Sequence, residues 1–146
     1  MPATGAGWRA MKKFKLLEHT ADTGLEACGS NLAEAFANAA FGMFSIIADP
    51  ADIKEVASRL VEVDEADAEA LLFEWLNRLV LLFDVESMLF SRFEMLEFNE
   101  THLKAKCWGE KYDPVRHGLK MGIKSATYHQ LTVDRQRNCV RVIFDI

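Results

Sequence analysis

The sequence predicts an α+β fold, with two helices packed on a mainly antiparallel β-sheet in a single domain. Three observations carry that prediction. Helical apolar periodicity is confined to two segments in the first half of the chain, alternating segments paired around short polar turns fill the second half, and no βαβ unit repeats. Half of the 146 residues are hydrophobic and 27% are charged, a balance that fills one core and does not match the composition of a disordered chain. Residues 1–10, with Pro2, Gly5 and Gly7, read as a flexible N-terminal extension, and residues 11–146 as one domain.

Phe14 to Leu17 is short, apolar and flanked by lysines, and Leu25 to Cys28 alternates, so both are expected to be strands. Asn31 followed by Glu34 is a capping-box spacing, and Leu32, Phe36, Ala39, Ala40, Met43, Phe44 and Ile47 follow at helical intervals until Asp49-Pro50 stops the helix. Ile53 to Val63 reads as an uneven strand. The acidic run Glu62 to Asp67 then suits a helix N-terminus, where carboxylates meet unpaired N–H groups. The second helix is predicted from about Ala66 to about Val85, burying Leu71, Leu72, Trp75, Leu76, Leu79, Val80 and Phe83 and turning Glu74, Asn77 and Arg78 outward.

Phe90 to Phe98 and His102 to Trp108 form a predicted hairpin around Asn99-Glu100. A polar loop from Gly109 to Gly122 leads to a second hairpin, Ile123 to Asp134 and Asn138 to Asp145. Alternation on the first of these strands places Lys124 with Ala126, Tyr128 and Gln130, and Ser125 with Thr127, His129 and Leu131.

The charge balance is 17 basic against 22 acidic residues, a net charge of −5, which argues against a domain that binds bare DNA or RNA through phosphate neutralisation. Cys28, Cys107 and Cys139 are odd in number and widely separated, so they suggest neither a disulfide framework nor CxxC zinc ligands; they are expected to pack as small hydrophobes in a reducing interior. The first ten residues lack a signal-peptide run, and the most apolar stretch, Leu71 to Phe83, is interrupted by Glu74, Asn77 and Arg78 and falls short of the roughly 20 residues that span a bilayer. A mature, soluble, cytoplasmic protein without a membrane partner is expected.

Gly5-Ala6-Gly7-Trp8-Arg9-Ala10 spells GxGxxG/A, but it sits in the predicted tail rather than between a strand and a helix, where dinucleotide binding would need it. The informative loop is His19-Thr20-Ala21-Asp22-Thr23-Gly24. Its residues fit either an Asx-type turn or a ligand site. At the other end, Val142-Ile143-Phe144-Asp145-Ile146 brings an aspartate next to the last residue, so a chain ending there holds two carboxylates at one strand end. Such a pair either frays into water or is neutralised by a hard divalent cation. Lys124 reads as a solvated edge charge, or as a point charge that meets a carboxylate or a phosphate. His102, His117 and His129 are assigned structural or solvent roles.

Taken in order, these residues resemble the archease family. The resemblance rests on His19-Thr20-Ala21-Asp22-Thr23-Gly24, Ala27-Cys28-Gly29 with Leu32 to Phe36, Ser45 to Asp49, Leu71 to Leu76, Ala105 to Glu110, Asp113, His117, Ile123 to His129, and Ile143 to Ile146. It implies an accessory factor, not an enzyme, that activates the GTP-dependent RNA ligase of tRNA splicing and RNA repair. That ligase joins 3′-phosphate or 2′,3′-cyclic phosphate ends to 5′-hydroxyl ends. It is the ligase that uses GTP, and the accessory factor promotes its guanylylation and multiple turnover. The resemblance further implies a divalent ion (Ca2+, Mg2+ or Mn2+) held by Asp22, Asp145 and the terminal carboxylate of Ile146, with Lys124 in the family's functional lysine position and His19 in the same motif as Asp22. The implied partner is the ligase protein, with tRNA reached only through it and DNA excluded. Two other readings compete: a metal-dependent phosphoester hydrolase, and a chaperone-like interaction module.

Overall fold

The computed structural model describes residues 13–18 and 23–146. The N-terminal extension, His19 and Asp22 lie outside the described residues. Among the described residues seven strands and two α-helices follow one another as β1 (Phe14–Glu18), β2 (Thr23–Cys28), α1 (Leu32–Ile47), β3 (Ala57–Asp64), α2 (Ala68–Glu86), β4 (Met88–Asn99), β5 (His102–Lys111), β6 (Ser125–Asp134) and β7 (Cys139–Asp145), with a 3-10 turn at Pro50–Asp52.

Every strand pairing is antiparallel, as expected, and the strands divide into two sheets. One has the order β1-β2-β7-β6 and the other β3-β5-β4. The helices lie between them: α1 packs on β2 and β4, and α2 on β6 and β3. This placement explains why α1 is apolar on almost every face, burying Phe36, Met43 and Phe44 on the same helix as Ala39, Ala40 and Ile47. Trp75 of α2 is fully buried in the same core and donates its indole N–H to the Phe36 carbonyl at 3.0 Å.

Local chemistry sets the helix starts. The Asn31 side chain accepts from the Glu34 N–H at 2.8 Å, satisfying one orphan donor of α1, while Glu34 reaches back to accept from the N–H of Ser30, the residue before the cap, at 2.7 Å. Asp67 caps α2 by accepting from the Ala70 N–H at 2.8 Å. Gly109 on β5 is required by close approach, since a Cβ there would collide with the Leu89 carbonyl of β4.

Three expectations are corrected. Cys28 and Cys139 do not pack as separate thiols: β2 and β7 place them in register, and they are joined by a disulfide. Cys107 does behave as a buried hydrophobe, its thiol pushed up to about 12 by desolvation. Asn77 faces β6 rather than solvent. The alternation on β6 also fails, because the register jumps from Thr127 opposite Ile143 to Thr132 opposite Arg141, leaving Tyr128 to Leu131 opposite Val142 alone. Within that bulge Gln130 takes a φ of 55°, and Tyr128, His129 and Gln130 are all exposed. Tyr128 stacks on Phe73 of α2, with ring centroids 4.1 Å apart.

Candidate functional site

On β7, Val140, Val142 and Phe144 are buried toward the helices, and the strand runs out into an exposed Asp145 and a half-exposed Ile146. The partner strand starts alongside, with Ser125 opposite Asp145. Lys124 stands one residue before β6 and donates its main-chain N–H to the Asp145 carbonyl at 2.8 Å. Two positions 21 apart in the sequence (145 minus 124) are thereby fixed side by side. Thr127 reinforces the pairing by donating its hydroxyl to the Ile143 carbonyl at 2.9 Å.

The entry to β6 is held from beneath by a residue that periodicity misassigns. Asn77 accepts from the Ala126 N–H at 2.7 Å and donates to the Ala126 carbonyl at 3.4 Å, so α2 grips the backbone two residues after Lys124. Only its amide, which can both donate and accept, hinted at this role.

On the other flank of β7, Thr23 is in register with Phe144. Gly24 lets the strands meet, because a Cβ there would press on the Val142 carbonyl and the Ile143 side chain. Thr23 and Gly24 also border a cleft of about 450 Å³ that Ser45, Lys120 and Met121 help to line. Lys120 and Met121 belong to no motif in the sequence, and Ser45 enters only with the segment Ser45 to Asp49. The glycines at 118 and 122, bracketing Lys120 and Met121, were the available signal for a loop shaped around a cleft.

The loop carrying Lys120 and Lys124 is anchored by a buried polar cluster. Glu110 and His117 are 8% and 2% exposed. Glu110 accepts from the Lys54 N–H and from Arg116, and its Oε2 lies 2.9 Å from His117 Nε2. His117 Nδ1 accepts the Asp113 N–H at 2.8 Å, so Nε2 carries the proton and donates to Glu110. The Arg116 guanidinium, helped by the Lys54 N–H and His117, holds the Glu110 carboxyl down at about 2. His117 therefore has a structural role, as expected.

The structure thus brings Lys124, Asp145 and Ile146 to one end of the four-stranded sheet; His19 and Asp22 lie outside the described residues. Among the described residues the Asp145 carboxylate enters no ion pair, and its exposed oxygens are donors of the type that hard divalent cations take. Lys124 stands beside it as an exposed point charge. No helix among the described residues is long and apolar enough to cross a membrane.

These features define a small α+β protein in which helices sandwiched between two antiparallel sheets support a carboxylate and a lysine at one sheet end. The model of the Archease protein family (MTH1598/TM1083) matches residues 14–146, and the chain belongs to that family. The protein archease of Sulfurisphaera tokodaii is 40% identical over 129 residues, covering 88% of this chain and 93% of that protein. Its counterpart in a Saccharolobus islandicus strain is 39% identical over 135 residues, covering 92% and 97%. The solution structure of Methanobacterium thermoautotrophicum protein 1598 superposes with a TM-score of 0.77 at 31% identity, covering 93% of this chain and all of that one. A Thermotoga maritima crystal structure, described as an archease and possible chaperone, shares the fold with a TM-score of 0.59 at 21% identity, covering 90% and 96%.

Proposed function

We propose that this protein activates a GTP-dependent RNA ligase that seals 3′-phosphate or 2′,3′-cyclic phosphate ends to 5′-hydroxyl ends in tRNA splicing and RNA repair. It acts in the cytoplasm as a non-catalytic accessory protein, promoting guanylylation of the ligase so that each ligase molecule turns over repeatedly. The observation that carries this reading is the fixed pairing of Lys124 with Asp145 in a chain matched by the family over residues 14–146. The net charge of −5 supports a protein partner rather than bare RNA.

Asp22, Asp145 and the terminal carboxylate of Ile146 would hold the divalent ion, and His19 stands three residues before Asp22. When bound, that ion supplies charge neutralisation beside nucleotide phosphates. Lys124 adds a positive charge for a phosphate oxygen, and the Lys124–Asp145 backbone bond keeps the two residues side by side. Positioning and charge are the main assistance that phosphoryl transfer takes from a protein.

The test is a ligation time course with a trace of the GTP-dependent ligase from the same organism and excess RNA bearing 3′-phosphate and 5′-hydroxyl ends. Wild-type protein should give many products per ligase, while Asp22→Ala, Asp145→Ala and Lys124→Ala should each give about one with the fold intact. Equal turnover with and without the protein would overturn the proposal. Phosphoester cleavage without ligase would favour a hydrolase, and metal-independent suppression of aggregation would favour a chaperone.

A further inference from the structure

A second constellation lies on the other sheet, on the face turned away from the helices. His102 opens β5 opposite Asp64 of β3 and Asn99 of β4. Its Nδ1 is 2.7 Å from Asp64 Oδ1, and its Nε2 is 2.9 Å from Glu97 Oε1 and 3.8 Å from Glu62 Oε2. The imidazole is largely covered, with 23% of its side chain exposed, and the three carboxylates are mostly in solvent.

The ring nitrogens decide what this arrangement needs. With the Nδ1 proton given to Asp64, a neutral imidazole turns the Nε2 lone pair toward two carboxylates, and a positive charge must sit at that point. A proton on Nε2 serves Glu97 alone and leaves the exposed Glu62, 3.8 Å away, to water. A metal ion satisfies all three donors. Tetrahedral zinc with bonds of about 2.0–2.1 Å sets its donors about 3.3 Å apart, a value bracketed by the observed 2.9 and 3.8 Å. Asp64 on the far nitrogen is the outer carboxylate that metal-bound histidines usually have.

Lys104, in register with both Glu62 and Glu97, is the neighbouring cation that could otherwise neutralise them. Among the described residues it forms no ion pair with either. We propose that Glu62, Glu97 and His102 bind a zinc ion across β3, β5 and β4, with Asp64 orienting His102 and a fourth position open to water. One nitrogen and two carboxylates favour zinc over calcium or magnesium, which take all-oxygen shells. The site shares no residue with the Asp145 end of the other sheet.

The test uses zinc alone, and cobalt as its spectroscopic substitute, on the metal-free full chain carrying Asp145→Ala to silence the other carboxylate site. One equivalent of zinc should bind and raise the thermal midpoint, and cobalt should give the intense visible bands of a tetrahedral site. His102→Gln, with its fold checked by circular dichroism, should abolish both, and Asp64→Asn should weaken zinc binding about 10–100-fold. Absence of binding, or binding unchanged by His102→Gln, would overturn the proposal and leave His102 as an imidazolium held by carboxylates.

Discussion

His117 donates its Nε2 proton to Glu110 across 2.9 Å, and both side chains are buried beneath the loop that leads to Lys124. The same carboxylate takes the Lys54 N–H at 2.8 Å and the Arg116 guanidinium, so a single anion ties together the segment before β3, the end of β5 and the following loop.

That anion gives folding a defined acid limit. The folded carboxyl titrates at about 2 against an ordinary 4.5, so its stabilisation is complete above about pH 4.5 and is lost as the pH falls through about 2. Glu110→Gln keeps the shape and removes the charge, and should cost about 1.5–3 kcal/mol at neutral pH. Urea titrations should show the gap between wild type and variant constant down to about pH 4.5 and closing toward pH 2. A gap independent of pH would show that shape, not charge, is what Glu110 supplies.

Asn77 should act as a positioning residue. Asn77→Ala leaves the Ala126 N–H and carbonyl without their partner and should cost about 1–3 kcal/mol. It should also lower ligase stimulation although Lys124 and Asp145 are intact. Asn77→Asp, which still accepts from the Ala126 N–H, should recover more of both than Asn77→Ala. Stimulation unaffected by Asn77→Ala at a temperature where the variant stays folded would separate the clamp from the site.

The Cys28–Cys139 disulfide closes a separation of 111 residues. Cross-linking so long a loop restricts the unfolded chain, and replacing both cysteines by serine should lower stability by about 2–4 kcal/mol. Reductant should bring the wild type down to the level of the double variant and leave that variant unchanged, as read by urea midpoints.

What was legible in the sequence was local. The Asn31 and Glu34 spacing marked the start of α1 because a cap is a contact between near neighbours. The acidic run before α2 did the same, with Asp67 as its cap. The hairpins were legible from alternation and turns, and their strands are found at β4–β5 and β6–β7. The division into two sheets was not, because each helix buries residues against both layers and periodicity reports only that a face is covered. The disulfide escaped because no rule of spacing links residues 111 apart. Asn77 escaped because a polar residue among apolar ones reads as a solvent face until the neighbouring strand is in place. For the site, the residue types at Lys124 and Asp145 pointed to charge and oxygen ligation, but their adjacency came from the pairing of β6 with β7.

The interruption of β6 between Thr127 and Thr132 has a bearing on how the protein avoids its own kind. β6 is the outer strand of its sheet, and an unbroken outer strand offers a row of free N–H and C=O groups on which another chain can grow. Four residues pushed out of register, ending the regular ladder after Thr127 and capped by the Tyr128–Phe73 stack, break that row into two pieces too short to template a neighbour. The edge strand that follows Lys124 is thus shaped by its backbone against self-assembly into fibres.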